Sequence, residues 1–90
     1  MIQLIEVVKN TRSYELREVF VNPRHVVMLR EDHATRSAIN EGKVIEGMDP
    51  RQQYTRVTVD NGTTGSQFVV VGSPGIVESK LKSGRQLLNG

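Results

Sequence analysis

Apolar and polar positions alternate in short runs through most of this chain and lose that rhythm in one long interior stretch. Residues 2 to 8 are rich in Ile, Leu and Val, with Ile5 and Val7 opposing Ile2, Leu4 and Val8. That pattern predicts a strand buried on both faces near its middle. After the polar turn Asn10-Thr11-Arg12-Ser13, the run 14 to 21 alternates cleanly at its start, Tyr14 and Leu16 pointing one way and Glu15 and Arg17 the other. The alternation slips after Glu18, which predicts a bulge or the edge of a barrel. Asn22-Pro23 ends the strand, because proline donates nothing to a ladder and holds its predecessor extended. A third strand, 25 to 30, follows after only a corner.

The clearest signal is the pair of β-branched runs 54 to 59 and 67 to 71, joined by a segment that contains Asn61-Gly62. Asn-Gly supplies the positive φ angles of a hairpin turn, so the two runs are expected to pair. Val57 and Val59 then face the core, and Arg56 and Thr58 face solvent or a ligand. Beyond Val71 the corner Gly72-Ser73-Pro74-Gly75 leads into a segment in which Val77, Leu81, Leu87 and Leu88 recur near helical spacing. Gly84 argues against a long helix. The whole is expected to be mainly β, of the α+β kind: about five strands in an antiparallel sheet or small open barrel, with one short C-terminal helix.

Residues 31 to 53, EDHATRSAINEGKVIEGMDPRQQ, break the pattern. Their one apolar pair, Val44-Ile45, lies among charges, glycines and a proline. This reads as a long loop or insertion, with a helical turn or two at 34 to 40 and Gly42 as its stop. Loops longer than about 12–15 residues in a compact domain are usually functional or disordered.

Ninety residues make one domain with a thin core. The absence of cysteine excludes a disulfide framework, a thiolate metal site and a cysteine nucleophile. The apolar N-terminus is interrupted by Gln3 and Glu6 and lacks a basic leader, so no signal peptide or membrane span is read there and a cytoplasmic location is expected. Twelve basic residues against ten acidic give a formal charge of +2 and a pI of about 9.3. The arginines are dispersed, several beside acids, and only the fold can gather them into the patch that a phosphate backbone needs.

The stretch FVVVGSPGIVESKL, residues 68 to 81, has the strand, glycine loop and helix start that elsewhere seat a phosphate. This makes Gly72, Ser73 and Gly75 candidate anion-binding residues. Phosphate loops carry more glycines and, in the P-loop, a Lys followed by Ser or Thr at the helix start, whereas here no lysine follows until Lys80. Capping accounts for more of the stretch: Ser73 suits the N-cap, Pro74 the first helical position and Glu78 the positive end of the helix dipole. His25 and His33 have no third ligand placed by spacing, so neither a metal nor any other cofactor is expected. The carboxylate pairs Glu31 with Asp32 and Glu41 with Glu46 sit in or beside the loop segment, and no serine has an elbow motif around it. No catalytic residue is therefore assigned, and the chain reads as a non-enzyme.

Two binding readings remain beside a third. The first is a non-enzymatic binding or assembly module that engages a macromolecular partner through the 31 to 53 loop and the strand face around Arg56. Its valine-rich strand 68 to 71, apolar on both faces, favours a homo-oligomer in which a second chain supplies cover. The second is a nucleic-acid-binding small barrel that uses Arg30, Arg36, Arg51, Tyr54 and Arg56, of which Arg51, Tyr54 and Arg56 form the one aromatic-basic cluster in the sequence. The third is a small anionic or nucleotide ligand held between protomers at the Gly72 to Gly75 corner.

The passage VFVNPRHVVMLRED, residues 19 to 32, and YTRVTVDNGTTGSQFVVVGSPGIVESKL, residues 54 to 81, together resemble the small flagellar and swarming-motility (FlbD-like) protein family in the order of their features. These are a strand ending in Asn before a second apolar strand, then a strand closing with Asn-Gly, a valine-rich strand and a Ser-started terminal helix. The resemblance covers about half of the chain and implies the topology more than the task. An additional N-terminal strand pair and the 31 to 53 segment depart from it. A compact β scaffold bearing such a loop equally suits a phage or mobile-element accessory protein.

Overall fold

A computed structural model describes residues 1–11, 13–42, 48–60, 62 and 65–89, the segment 84–89 by its backbone only. The order is β1 (Ile2–Lys9), β2 (Tyr14–Val21), a single 3-10 turn (Pro23–His25), β3 (Val26–Glu31), α1 (His33–Asn40), β4 (Tyr54–Asp60), β5 (Gly65–Val71) and α2 (Pro74–Asn89). The five strands form one open antiparallel sheet in the order β2-β1-β5-β4-β3. The expected pairing of the two β-branched runs is present over the whole of β4 and β5, from Tyr54 opposite Val71 to Asp60 opposite Gly65. Of the turn between them, Gly62 has a φ of 96° and its N–H donates to Asp60 Oδ1 at 2.8 Å, while Asn61 lies outside the described residues.

Chain length forces the sheet to curl. The two edge strands, β2 and β3, are consecutive in sequence and joined only by residues 22–25. A flat five-stranded sheet is roughly 19 Å from edge to edge at about 4.8 Å per strand. Five Cα steps reach at most about 18 Å when extended, and the 3-10 residues rise only about 2 Å each. The edges are thus drawn together at that end, and the sheet acquires a concave and a convex face. Asn22 makes the tight passage: its side chain accepts the Arg24 N–H at 3.0 Å, and Pro23 takes the first position of the turn, where an N–H would have no partner.

Pleating sorts the side chains between the two faces. Leu4, Val21, Val57 and Val70 line the concave face, and Val77 and Leu81, four residues apart on α2, close it. Burial of each such aliphatic side chain contributes about 1.5–3 kcal/mol. Val7, Tyr54 and Ile39 form a second, smaller cluster on the convex face, with Val69, Val71 and Tyr14 packed around it. The middle of β1 is therefore buried on both faces, at Leu4 and Val7, as its composition predicts, and on β5 Val70 is buried on the concave face while Val69 and Val71 are half-buried in the convex-face cluster; α2 and α1 supply the cover. The argument for a second chain over residues 68 to 71 loses its basis on that strand.

Two further expectations are corrected. Of the bulge or edge read after Glu18, β2 is an edge strand but carries no bulge: it pairs with β1 without interruption from Val21 opposite Ile2 to Tyr14 opposite Lys9. The alternation slips there because Val19 lies toward the concave core while Phe20 lies on the convex side, so neighbouring positions are both apolar. The irregularity is instead in β3, between Val26 and Met28. Gly84 does not stop α2, which runs through it to Asn89; one glycine costs a helix only about 1 kcal/mol, and the helix is already anchored by Val77 and Leu81. The side chains of Leu87 and Leu88 lie outside the described residues. Within the 31 to 53 segment the expected short helix is present. Glu31 ends β3, α1 occupies His33–Asn40 where a helical turn or two was expected, and Gly42 follows it with a φ of 114°. Val44, Ile45 and Glu46 lie outside the described residues. No helix among the described residues is long and apolar enough to cross a membrane.

Candidate functional site on the convex sheet face

The junction of β3, α1 and β4 is organised by Asp32, which is only 6% exposed. Its carboxylate caps α1, with Oδ1 accepting the Thr35 N–H at 3.1 Å. Oδ2 accepts from the Thr35 hydroxyl at 2.8 Å and from Arg56 Nη2 at 3.0 Å. Asp32 N–H donates to the Tyr54 carbonyl at 2.9 Å, which ties the start of the helix to the start of β4. Burial, the largest single influence on this carboxyl, pushes its pKa up; the Thr35 hydrogen bonds and the nearby Arg56 charge together outweigh it and hold the group below the usual carboxylate range. An ionised carboxylate with these committed acceptors is a positioning group for Arg56 and α1. Its neighbour Glu31 is committed elsewhere, accepting from Gln53 Nε2 at 3.3 Å and lying 3.6 Å from His33 Nε2. The two carboxylates thus have separate sets of partners.

Of the five residues proposed from sequence, the fold sets two, Arg30 and Arg56, directly side by side. Arg30 and Arg56 are direct cross-strand partners, so their side chains leave the same face of the sheet. Asp32 compensates Arg56, whose side chain remains 41% exposed, and among the described residues Arg30 has no acidic partner, its guanidinium lying 3.8 Å from Met28 Sδ. Arg36 is on α1, directly after Thr35. The other two are placed elsewhere. Tyr54 is 1% exposed in the convex-face cluster and presents no ring to a base; burial also raises its phenolic pKa. Arg51 lies by the start of α2, bound to Asp49 through Nε at 3.4 Å and Nη2 at 3.3 Å.

Sequence reasoning missed two residues that the fold brings near Arg56, Lys9 and Tyr14. They close the β1–β2 hairpin as direct partners, and they line a cleft of about 370 Å³ together with Arg56 and the small residues Ala34 and Ala38 of α1. The signal was present: Lys9 lies two residues after Val7 and Tyr14 two before Leu16, so a hairpin at 10–13 sets both on the convex face. The turn is closed by the Asn10 N–H donating to the Ser13 carbonyl at 2.7 Å.

The corner at Gly72, Ser73 and Gly75 is built for the fold. Ser73 Oγ accepts the Ile76 N–H at 3.3 Å and its carbonyl accepts the Val77 N–H at 3.0 Å, which is the capping expected from sequence. Gly72 has a φ of 119°, its N–H donates to the Gln53 carbonyl at 2.9 Å and its carbonyl accepts from the buried Thr55 hydroxyl at 2.8 Å. The Gly72, Ile76 and Val77 amides are thus occupied, and Pro74 has none. A shallow groove does bring Arg51 against Ser73, but Asp49 lines the same groove and neutralises it. Among the described residues no three metal-ligating side chains gather.

Comparison with known proteins adds no neighbour to this picture: no family model, no curated protein and no solved structure matches the chain.

Proposed function

We propose that this chain is a non-enzymatic binding and assembly module that self-associates and engages a macromolecular partner through the convex face of its sheet. The observation that carries the reading is the uncovered β2 end of that face. Leu16 and Phe20 are 44% and 60% exposed there, on an edge strand whose outward backbone groups have no partner strand. Ile5, on the same face of the neighbouring strand, is only half-buried. α1 packs on the other end of the face through Ile39 and Tyr54, on the side of the sheet that carries Arg30 and Arg56. The segment 31 to 53 contributes through α1 and the cap at Asp32. The FlbD-like resemblance is compatible with such a module and adds no residue to it.

Sedimentation equilibrium at micromolar concentration tests self-association. The wild-type chain is expected to give a mass above that of one chain, and the double variant Leu16→Glu/Phe20→Glu a single-chain mass, with far-UV circular dichroism unchanged because both side chains are exposed. A single-chain mass for the wild type would end this reading.

One observation favours a second reading, in which the partner is single-stranded nucleic acid: Arg30 stands directly opposite Arg56 with no acidic partner of its own among the described residues, and Lys9 and Tyr14 border the cleft that Arg56 lines. With Lys9, Arg30, Arg36 and Arg56 engaging three or four phosphates, the logarithm of the affinity for an oligonucleotide is expected to fall with the logarithm of salt concentration at a slope of about −2 to −3. Fluorescence anisotropy across a salt series measures it. Absence of binding at low ionic strength removes nucleic acid as the partner and leaves the assembly reading intact.

A further inference from the structure

We infer that the cleft between α1 and the β1–β2 hairpin binds a small monocarboxylate with an apolar body. The cleft holds about 370 Å³, near the low end of the roughly 300–1,000 Å³ usual for small-molecule sites. Its floor is apolar, made by Val7 and Val69, which are cross-strand partners on β1 and β5. Its helical wall is made by Ala34 and Ala38, four residues apart and therefore on one face of α1. A larger side chain at either position would occupy the space that these alanines leave.

The polar groups converge from two elements. Lys9 and Tyr14 stand opposite each other on the hairpin, and Arg56 enters from β4. Asp32 takes a hydrogen bond from only one terminal nitrogen of Arg56, and a guanidinium carries five N–H donors in a planar fork. Donors therefore remain for a planar carboxylate, the group that such a fork fits best. Charge fixes the valence of the ligand: Lys9 and Arg56 contribute two positive charges and Asp32 one negative, so a monoanion neutralises the site. A phosphate dianion would exceed that charge and has no apolar portion for Val7 and Val69. An uncharged molecule would forgo both cations. The site is separate from the Gly72 to Gly75 corner and from the Leu16 and Phe20 surface; it shares Lys9 and Arg56 with the nucleic-acid reading, so a small carboxylate and an oligonucleotide would compete there.

The test is titration of the full chain with phenylacetate and with hexanoate, followed by backbone amide shifts. Phenylacetamide supplies the control without charge, and inorganic phosphate the control without an apolar body. Saturable shifts at Val7, Ala34, Ala38 and Val69 are expected with at least one of the two carboxylates, and both controls are expected to bind at least about tenfold more weakly. Ala38→Leu, which fills the cleft, and Lys9→Gln, which removes an exposed cation, should each weaken the carboxylate by at least about tenfold. The Lys9 variant alters no buried group, so it carries the test should the Ala38 variant lose its fold. The inference is overturned if neither carboxylate gives saturable shifts at the cleft. It is equally overturned if phenylacetamide or phosphate binds as tightly as the carboxylates, or if Lys9→Gln leaves affinity unchanged.

Discussion

Tyr54→Ala is expected to lower unfolding free energy by about 3–5 kcal/mol in urea denaturation, the range for truncating a large buried aromatic. A domain of this length has a total stability of about 5–13 kcal/mol, so the substitution brings the chain near its threshold. The reason is geometric. Tyr54 is the largest of the fully buried side chains and holds together the convex-face cluster of Val7 and Ile39, through which α1 packs on the sheet. Tyr54→Phe keeps the ring and removes only the hydroxyl, and is expected to cost less than about 1.5 kcal/mol, as volume-conserving exchanges do. An exposed stacking tyrosine would behave differently, since surface substitutions usually stay within about 0.5 kcal/mol. The two variants together separate a structural tyrosine from a ligand-facing one.

Asp32→Ala is the second large effect, expected at about 2 kcal/mol. Loss of an N-cap costs about 1 kcal/mol, and hydrogen bonds to a charged group about 1.5–3 kcal/mol each when they are isolated. The sum is not realised in full because Arg56, more than a third exposed, regains water when its partner is removed. Asp32→Asn retains the cap and discards the charge, so it isolates the ionic part. That part depends on pH with a definite sign. The carboxyl titrates lower in the folded chain than its usual value of 3.8. Its stabilisation is therefore complete above that value and is lost as pH falls below it, through the folded pKa. Wild type should lose stability across this acid window more steeply than Asp32→Asn. Asp49 is also lowered, by the Arg51 N–H first and its side chain second, but it is fully solvated at the surface; an Asp49→Asn background removes its share of the slope.

Periodicity made most of the sheet legible. The β4–β5 pair follows from two β-branched runs about an Asn-Gly, and the two-sided burial of β1 follows from apolar residues at both parities. The corner at Ser73-Pro74 was equally readable, because its caps act between neighbours in sequence. Less was readable wherever the outcome depends on contacts between distant segments. Tyr54 and Arg56 share one strand face, and nothing local says that the first is covered by Ile39 of α1 while the second is held by Asp32 at its rim. The run 31 to 53 looks like loop because α1 has a single deeply buried aliphatic, Ile39, and its start is specified by one capping carboxylate. The gathering of Arg30 with Arg56 depends on the register of β3 on β4, which passes through an irregularity at Val27 that the sequence does not announce. Lys9 and Tyr14 were legible in principle, as the two closing positions of a hairpin.

On the proposed reading, this chain meets other molecules on the convex face, from its open β2 edge to Arg56. Amide hydrogen exchange of the full chain at low and at high protein concentration tests it most directly. Slower exchange is predicted along Tyr14–Val21 as concentration rises, with α2 and the Gly72 to Gly75 corner unchanged. Exchange in β2 that is independent of concentration, or protection appearing at the α2 corner instead, would contradict the account.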